Sequence, residues 1–407
     1  MTRIGEAGKL YNQPKISLSN FYFIRRMTKS PAYLESKRHY EILDGLRGVA
    51  AIFVVTFHMF ESFTFEKDLG GPTYPQYLGH GYLAVDFFFL LSGFVIGYAY
   101  DDRWGQMTTW DFFKRRLVRL QPMIIVGSIV GAVLFYFQAG AVFPNVAHTS
   151  ISKMLLVMVI GFTLFPVWRP LDIRGWTEMH PLNGPAWSLF FEYVGNILYA
   201  VLVRRFSKLL LTILVVISAL FLLQWLLFGP SGNVIGGWAI DDPVQVHIGF
   251  ARLLFPFFGG LLLFRIGKRI SVNKAFGWCS LILVAFLAAP VLGDAKHLWE
   301  NGLFEGISII IVFPIIVAMG AGGHVAGKRS AKVCKFLGDI SYPIYITHYP
   351  LIYVFTAWVT NNKIRLSQGL PVGVGLIVTA ILLAWAYLKL YDEPVREWLK
   401  KRFLVKR

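Results

Sequence analysis

Apolar runs long enough to cross a bilayer recur along the whole chain, near residues 42–60, 82–100, 122–143, 151–167, 184–203, 208–228, 246–267, 275–292, 303–322, 339–359 and 370–391. In hydrocarbon a backbone must satisfy its own hydrogen bonds, which leaves helices and closed barrels, and runs of about 20 residues are helix-length rather than strand-length. The chain therefore reads as all-α, a polytopic membrane helix bundle. At 56% hydrophobic and 15% charged, its 407 residues carry more apolar side chain than a soluble domain of that size buries.

Forty Lys and Arg against twenty-three Asp and Glu give a net charge of +17. The excess sits in short segments between apolar runs (KRRLVRL, RRFSK, GKRISVNK, GKRSAKVCK), the pattern that sets membrane topology, so no nucleic acid is needed to explain it. If every run crossed, these segments would fall on opposite faces. The weakest run, 151–167, leads into FPVWRPLDIRGWTEMHPLNGP, so 144–183 is expected to be an outward-facing, partly re-entrant segment, a candidate lid or substrate platform. About ten spans remain, with both termini cytosolic, in the cytoplasmic (inner) membrane. Residues 1–40 read as a basic, partly disordered cytosolic arm, and 41–402 as the membrane domain. Cys279 and Cys334 share no motif spacing, so neither a disulfide nor a metal site is expected.

Ionisable groups inside the apolar runs need explaining, because each costs roughly 2.5–3.5 kcal/mol to insert when charged. The first run, EILDGLRGVAAIFVVTFHMFE, holds Arg47 and His58. Helical geometry returns both to one face, roughly 16 Å apart along the axis. The small residues Ala50, Ala51 and Val54 lie between them and leave a shared groove with room for an elongated guest. In GYLAVDFFFLLSGFVIGYAY, Asp86 falls at a depth similar to His58 and pairs with it as acid and base, or else with Arg252 as an interhelical ion pair; Gly93 and Gly97 permit close helix contact. NGPAWSLFFEYVGNILYA puts Ser188 and Glu192 on one face, VHIGFARLLFPFFGG carries Arg252, and LGDISYPIYITHYPLI aligns Tyr345 and His348, with Pro343 and Pro350 able to kink that span. In DFFKRRLVRLQP, Arg116 and Arg119 lie one helical turn apart, as a juxtamembrane basic segment or as a grip for phosphate. Polar groups on so many spans are predicted to converge on one hydrated cavity. A multi-span transporter of a small anionic or sugar substrate would also place charges on broken spans, but the paired half-structures it predicts are not found.

The ordered stretches LDGLRGVAAIFVVTFH, GYLAVDFFFLLSGFVI, KRRLVRLQP, WSLFFEY, ARLLFPFFGG, LGDISYPIYITHYP and YDEPVREWLKKR together resemble the acyltransferase-3 family of integral-membrane acyltransferases, over about residues 41–402. That resemblance implies transfer of an acyl group, commonly acetyl, from cytosolic acyl-CoA to a hydroxyl of a glycan, lipid-linked sugar or related acceptor, with no metal. Arg47 and His58 match the family's functional motif, and Arg116 and Arg119 its cytosolic arginine pair. Under this reading Arg47 and the basic segment hold the donor at the inner face, and its pantetheine arm lies along the groove. His58 is the general base, oriented by Asp86 or Glu192, and Ser188, Tyr345, His348 and Arg252 are candidates for contacting substrate or the developing oxyanion. Some relatives carry an extra extracytoplasmic hydrolase-like domain. This chain resembles the stand-alone form, for which a second step would need a separate extracytoplasmic partner enzyme.

Overall fold

A computed structural model describes residues 39–65, 78–325 and 327–404. The expected arm lies outside the described residues except for its last two positions. Among the described residues the fold is all-α, with no strand beyond an isolated bridge between Gly140 and Phe143. The helices are α1 Glu41–Glu61, α2 Ala84–Tyr100, α3 Thr109–Val133, α4 Ile151–Phe162, α5 Ala186–Val201, α6 Lys208–Phe228, α7 Pro243–Ile266, α8 Ala275–Ala288, α9 Leu298–Gly322, α10 Lys328–Thr347, α11 Tyr349–Asn361, α12 Leu366–Tyr387 and α13 Glu393–Phe403. By length and hydropathy, seven segments among the described residues are long and apolar enough to cross a membrane: α1, α2 with its preceding turn, α3, α6, α7, α9, and α12 running on into α13. The outer faces of α6 and α12 expose residues such as Val216, Leu220, Val378 and Leu382, as a bundle solvated by lipid requires.

Two helices depart from the apolar runs, each for a local reason. α3 begins at Thr109, well before residue 122, because Thr108 and Asp111 form a reciprocal cap: Thr108 Oγ1 accepts the Asp111 N–H at 3.1 Å and the Asp111 carboxylate accepts the Thr108 N–H at 3.2 Å. The basic segment is thus not a loop but the opening turns of a helix, which holds Arg116 and Arg119 in fixed relation. The run 339–359 breaks into α10 and α11 at His348. Pro350 has no N–H to return to the Ile346 carbonyl, and Asn183 Nδ2 takes that oxygen at 2.7 Å instead.

α1 packs along α10, and α2 along α7. Gly48 lies against the Leu337 carbonyl and Gly93 against that of Phe257, with no room for a methyl group at either place. Beyond α4 the chain is irregular to residue 185, yet residues 178–189 are buried without a break. The Asp172 carboxylate organises the turn before this stretch, accepting the N–H groups of Arg174, Gly175 and Thr177 at 2.9, 2.8 and 3.1 Å. Irregular backbone at this depth is covered by protein, and it forms one wall of a cavity.

Candidate active site

His58 stands in the last turn of α1, and Glu61 follows one turn later on the same face. Glu61 Oε2 lies 2.6 Å from His58 Nδ1. The carboxylate holds the proton on Nδ1 and leaves Nε2 with its lone pair free. Tyr349 meets the imidazole edge-on at 4.7 Å between ring centroids, and His348 stacks on it at 5.7 Å. His348 is itself locked: its Nδ1 lies 3.0 and 2.8 Å from the carbonyls of Ile344 and Tyr345, at the break between α10 and α11.

His58 lines a cavity of about 450 Å³ walled by aromatic residues, Trp176, Trp187 and Trp238 among them, with Glu61, Glu178 and Arg252 as its other charged groups. Glu178 belongs to the irregular segment, outside the spanning helices. Tyr353 donates its hydroxyl to the Glu178 carboxylate, 2.7 Å from each oxygen, and Arg174 approaches it at 3.4 Å while lying flat on the Tyr353 ring. Burial pushes the Glu178 carboxyl up to about 7, against the opposing pull of Arg174 and Tyr353.

A second cavity, of about 110 Å³, opens at the Arg47 end of α1. Arg47 donates from Nε to Ser341 Oγ at 2.8 Å and from Nη2 to the Gly338 carbonyl at 3.2 Å, and lies 3.4 Å from Asp44. Arg116 pairs with Glu192, whose carboxylate also accepts from Ser92 Oγ at 2.7 Å. Arg119 shares this cavity and has no hydrogen-bond or ion-pair partner among the described residues. Tyr345 belongs to the walls of both cavities. Its hydroxyl sits 2.6 Å from Ser188 Oγ, and Phe88 packs edge-on against its ring at 5.3 Å.

Residues 40–389 match the acyltransferase domain family. The chain belongs to the acyltransferase-3 family. Over 385 residues it is 24% identical to the O-acetyltransferase OatA of Staphylococcus aureus, a match covering 90% of this chain and 58% of the relative. The peptidoglycan O-acetyltransferase OatA of Listeria monocytogenes is 24% identical over 348 residues, 79% of this chain and 50% of the relative. Protein 2 in the picA locus of Rhizobium radiobacter is 36% identical over 166 residues, 39% of this chain and 80% of the relative. The chain spans about half the length of the two O-acetyltransferases. No solved structure matches it significantly.

In this acyltransferase-3 fold His58 and Arg252 line the larger cavity and Arg47, Arg116, Arg119 and Glu192 the smaller, while Asp86 and His348 line neither. Of the groove expected between Arg47 and His58, Ala51 is covered by Val55, Ile344, Ala380 and Ala384, while Val54 lines the His58 cavity. Neither Asp86 nor Glu192 orients His58. Asp86 is fully buried against Arg252, at 3.3 Å from Nε and 2.7 Å from Nη2, because α2 lies along α7. Glu192 is spent on Arg116 at the other cavity. Arg252 also donates to the Tyr82 carbonyl at 2.7 Å, the His348 Nδ1 faces backbone carbonyls, and the Tyr345 hydroxyl is held by Ser188, whose own hydroxyl donates to the Pro185 carbonyl at 2.9 Å. Sequence reasoning missed Glu61, although three residues from His58 on one helix is contact spacing. It also missed Tyr349 and Tyr353, four residues apart on α11, and Glu178, which no spacing rule links to them.

Proposed function

We propose that this acyltransferase-3 protein is a membrane O-acetyltransferase that moves an acetyl group from cytosolic acetyl-CoA to a hydroxyl of a glycan, with His58 as general base. The observation that carries this reading is that one helix presents Arg47 to one cavity and His58 to another, with Tyr345 as their common wall. The charge bias of the basic segments supports a cytosolic position for the arginine-lined cavity. There the surplus charge of Arg119 suits the phosphates of the donor, and the aromatic walls around His58 suit the apolar faces of a sugar. The relatives named as O-acetyltransferases support the same chemistry.

The acceptor oxygen attacks the thioester carbonyl carbon while its proton passes to His58 Nε2, and Glu61 stabilises the imidazolium so formed. Tyr345 Oη donates to the carbonyl oxygen as it gains negative charge. The carbon–sulfur bond then breaks, and the thiolate leaves and takes up the proton. The test is free thiol released from acetyl-CoA by purified protein on adding a glycan acceptor. His58→Ala is expected to abolish release at unchanged membrane abundance. Full turnover by the variant would remove the base assignment, and solute flux with no thioester consumed would make the protein a transporter.

A further inference from the structure

The closing YDEPVREWLKKR stretch has no part in the chemistry above, yet its backbone departs from a regular helix at one defined place. α12 and α13 are joined by a π-bulge at Leu388–Asp392. Its cause is local: Pro394 cannot donate to the Leu390 carbonyl, so the hydrogen-bond ladder slips by one residue there. α9 has the same device at Ser308–Val312, just before Pro314. π-bulges collect at functional positions, where the inserted residue turns the neighbouring side chains to a new face.

The side chain turned by this bulge is a carboxylate. Asp392 is fully buried, and neither of its oxygens makes a hydrogen bond among the described residues. Its ion-pair partner is Arg396 one turn on, Nη1 to Oδ2 at 3.0 Å. A buried carboxylate with so little support is expensive and calls for a reason beyond packing. α13 lies against α3, and Arg119 on α3 feels the charges of Arg47, Arg116 and Arg396 together, as well as that of Asp392. Arg47, Arg116 and Arg119 line the smaller cavity, and Arg396 on the adjoining helix makes four guanidiniums. Asp44, Glu192 and Asp392 answer three of them, and one positive charge is left over.

We propose that Arg396, set in place by Asp392 across the π-bulge, is a further donor-binding residue that grips the phosphate end of the coenzyme, so that the C-terminal helix forms one side of the donor site. The inference rests on the acyl-CoA reading above. The phosphate end of the coenzyme carries a diphosphate and a phosphate monoester, more negative charge than Arg119 alone offsets. A guanidinium held by one carboxylate keeps its remaining N–H groups for phosphate oxygens.

The experiment compares two thioester donors that share the reacting end: acetyl-CoA, and S-acetylpantetheine, which lacks the phosphates. In the full-length protein Arg396→Gln is expected to raise KM for acetyl-CoA about tenfold with kcat held, while turnover of S-acetylpantetheine stays at the wild-type rate. Arg396→Lys, which keeps the charge, recovers part of the loss and guards against a variant that does not fold. Equal loss on both donors, or no loss on either, overturns the role of Arg396. A wild-type protein that consumes neither donor overturns the acyl-CoA reading itself.

Discussion

Every charged group in the wall of the larger cavity has a partner: Glu61 accepts from His58, Glu178 from Tyr353 beside Arg174, and Arg252 pairs with Asp86. In the smaller cavity Arg116 and Arg47 are answered, but Arg119 is not. The first cavity is thus prepared for a neutral polar guest, with aromatic walls and one free basic nitrogen. The second holds an unspent cation at its mouth and suits an anion. A single helix, α1, supplies Arg47 to one and His58 to the other, so both ends of the proposed reaction path lie along one element.

The strongest challenge to this division is His58→Ala, expected to lower kcat by about 10²–10⁴-fold while leaving acetyl-CoA affinity intact. Weakened donor binding, measured by titration on the purified variant, would mean that the cavities are not separate in role. Glu61→Gln should come next in size, with kcat down about 10–100-fold, since the imidazolium loses its carboxylate. An unchanged rate would return the orienting role to another group. Arg119→Gln sharpens the other half: KM for the donor should rise about tenfold at low salt, and the dependence of KM on ionic strength should flatten. A smaller effect concerns stability. Because burial raises the folded-state pKa of Glu178, the folded protein keeps a proton that the unfolded chain has released between roughly pH 4.5 and 7. Wild-type stability should therefore fall by about 1–3 kcal/mol across that window, and Glu178→Gln should fall less. Thermal unfolding in detergent at pH 5 and pH 7.5 makes the comparison.

Periodicity and charge made the helical bundle legible, and the placement of Arg47 and His58 on one face of the first helix could be read directly from their spacing. Pairing between helices could not. Asp86 sits near the depth of His58, but which neighbour it meets depends on how α2 is turned in the bundle, and Gly93 turns it toward α7 and Arg252. The packing at Ala51 has the same origin: small residues allow either open space or a close neighbour, and α10 and α12 cover Ala51 while Val54 stays open to the cavity. The start of α3 was readable in principle from Thr108 and Asp111, but apolar runs do not detect a polar first turn. Glu178 lies in irregular chain, where no period links it to Tyr353.

In the proposed reaction the donor is used at the arginine-lined end and the acceptor is modified at the His58 end. The direct measurement places purified protein, oriented in sealed vesicles, between acetyl-CoA on the arginine-lined side alone and a membrane-impermeant glycan on the other. The account predicts acetylated glycan in the compartment that never held acetyl-CoA, with an equal amount of free thiol on the donor side. Product that forms only when both substrates share a compartment would contradict it.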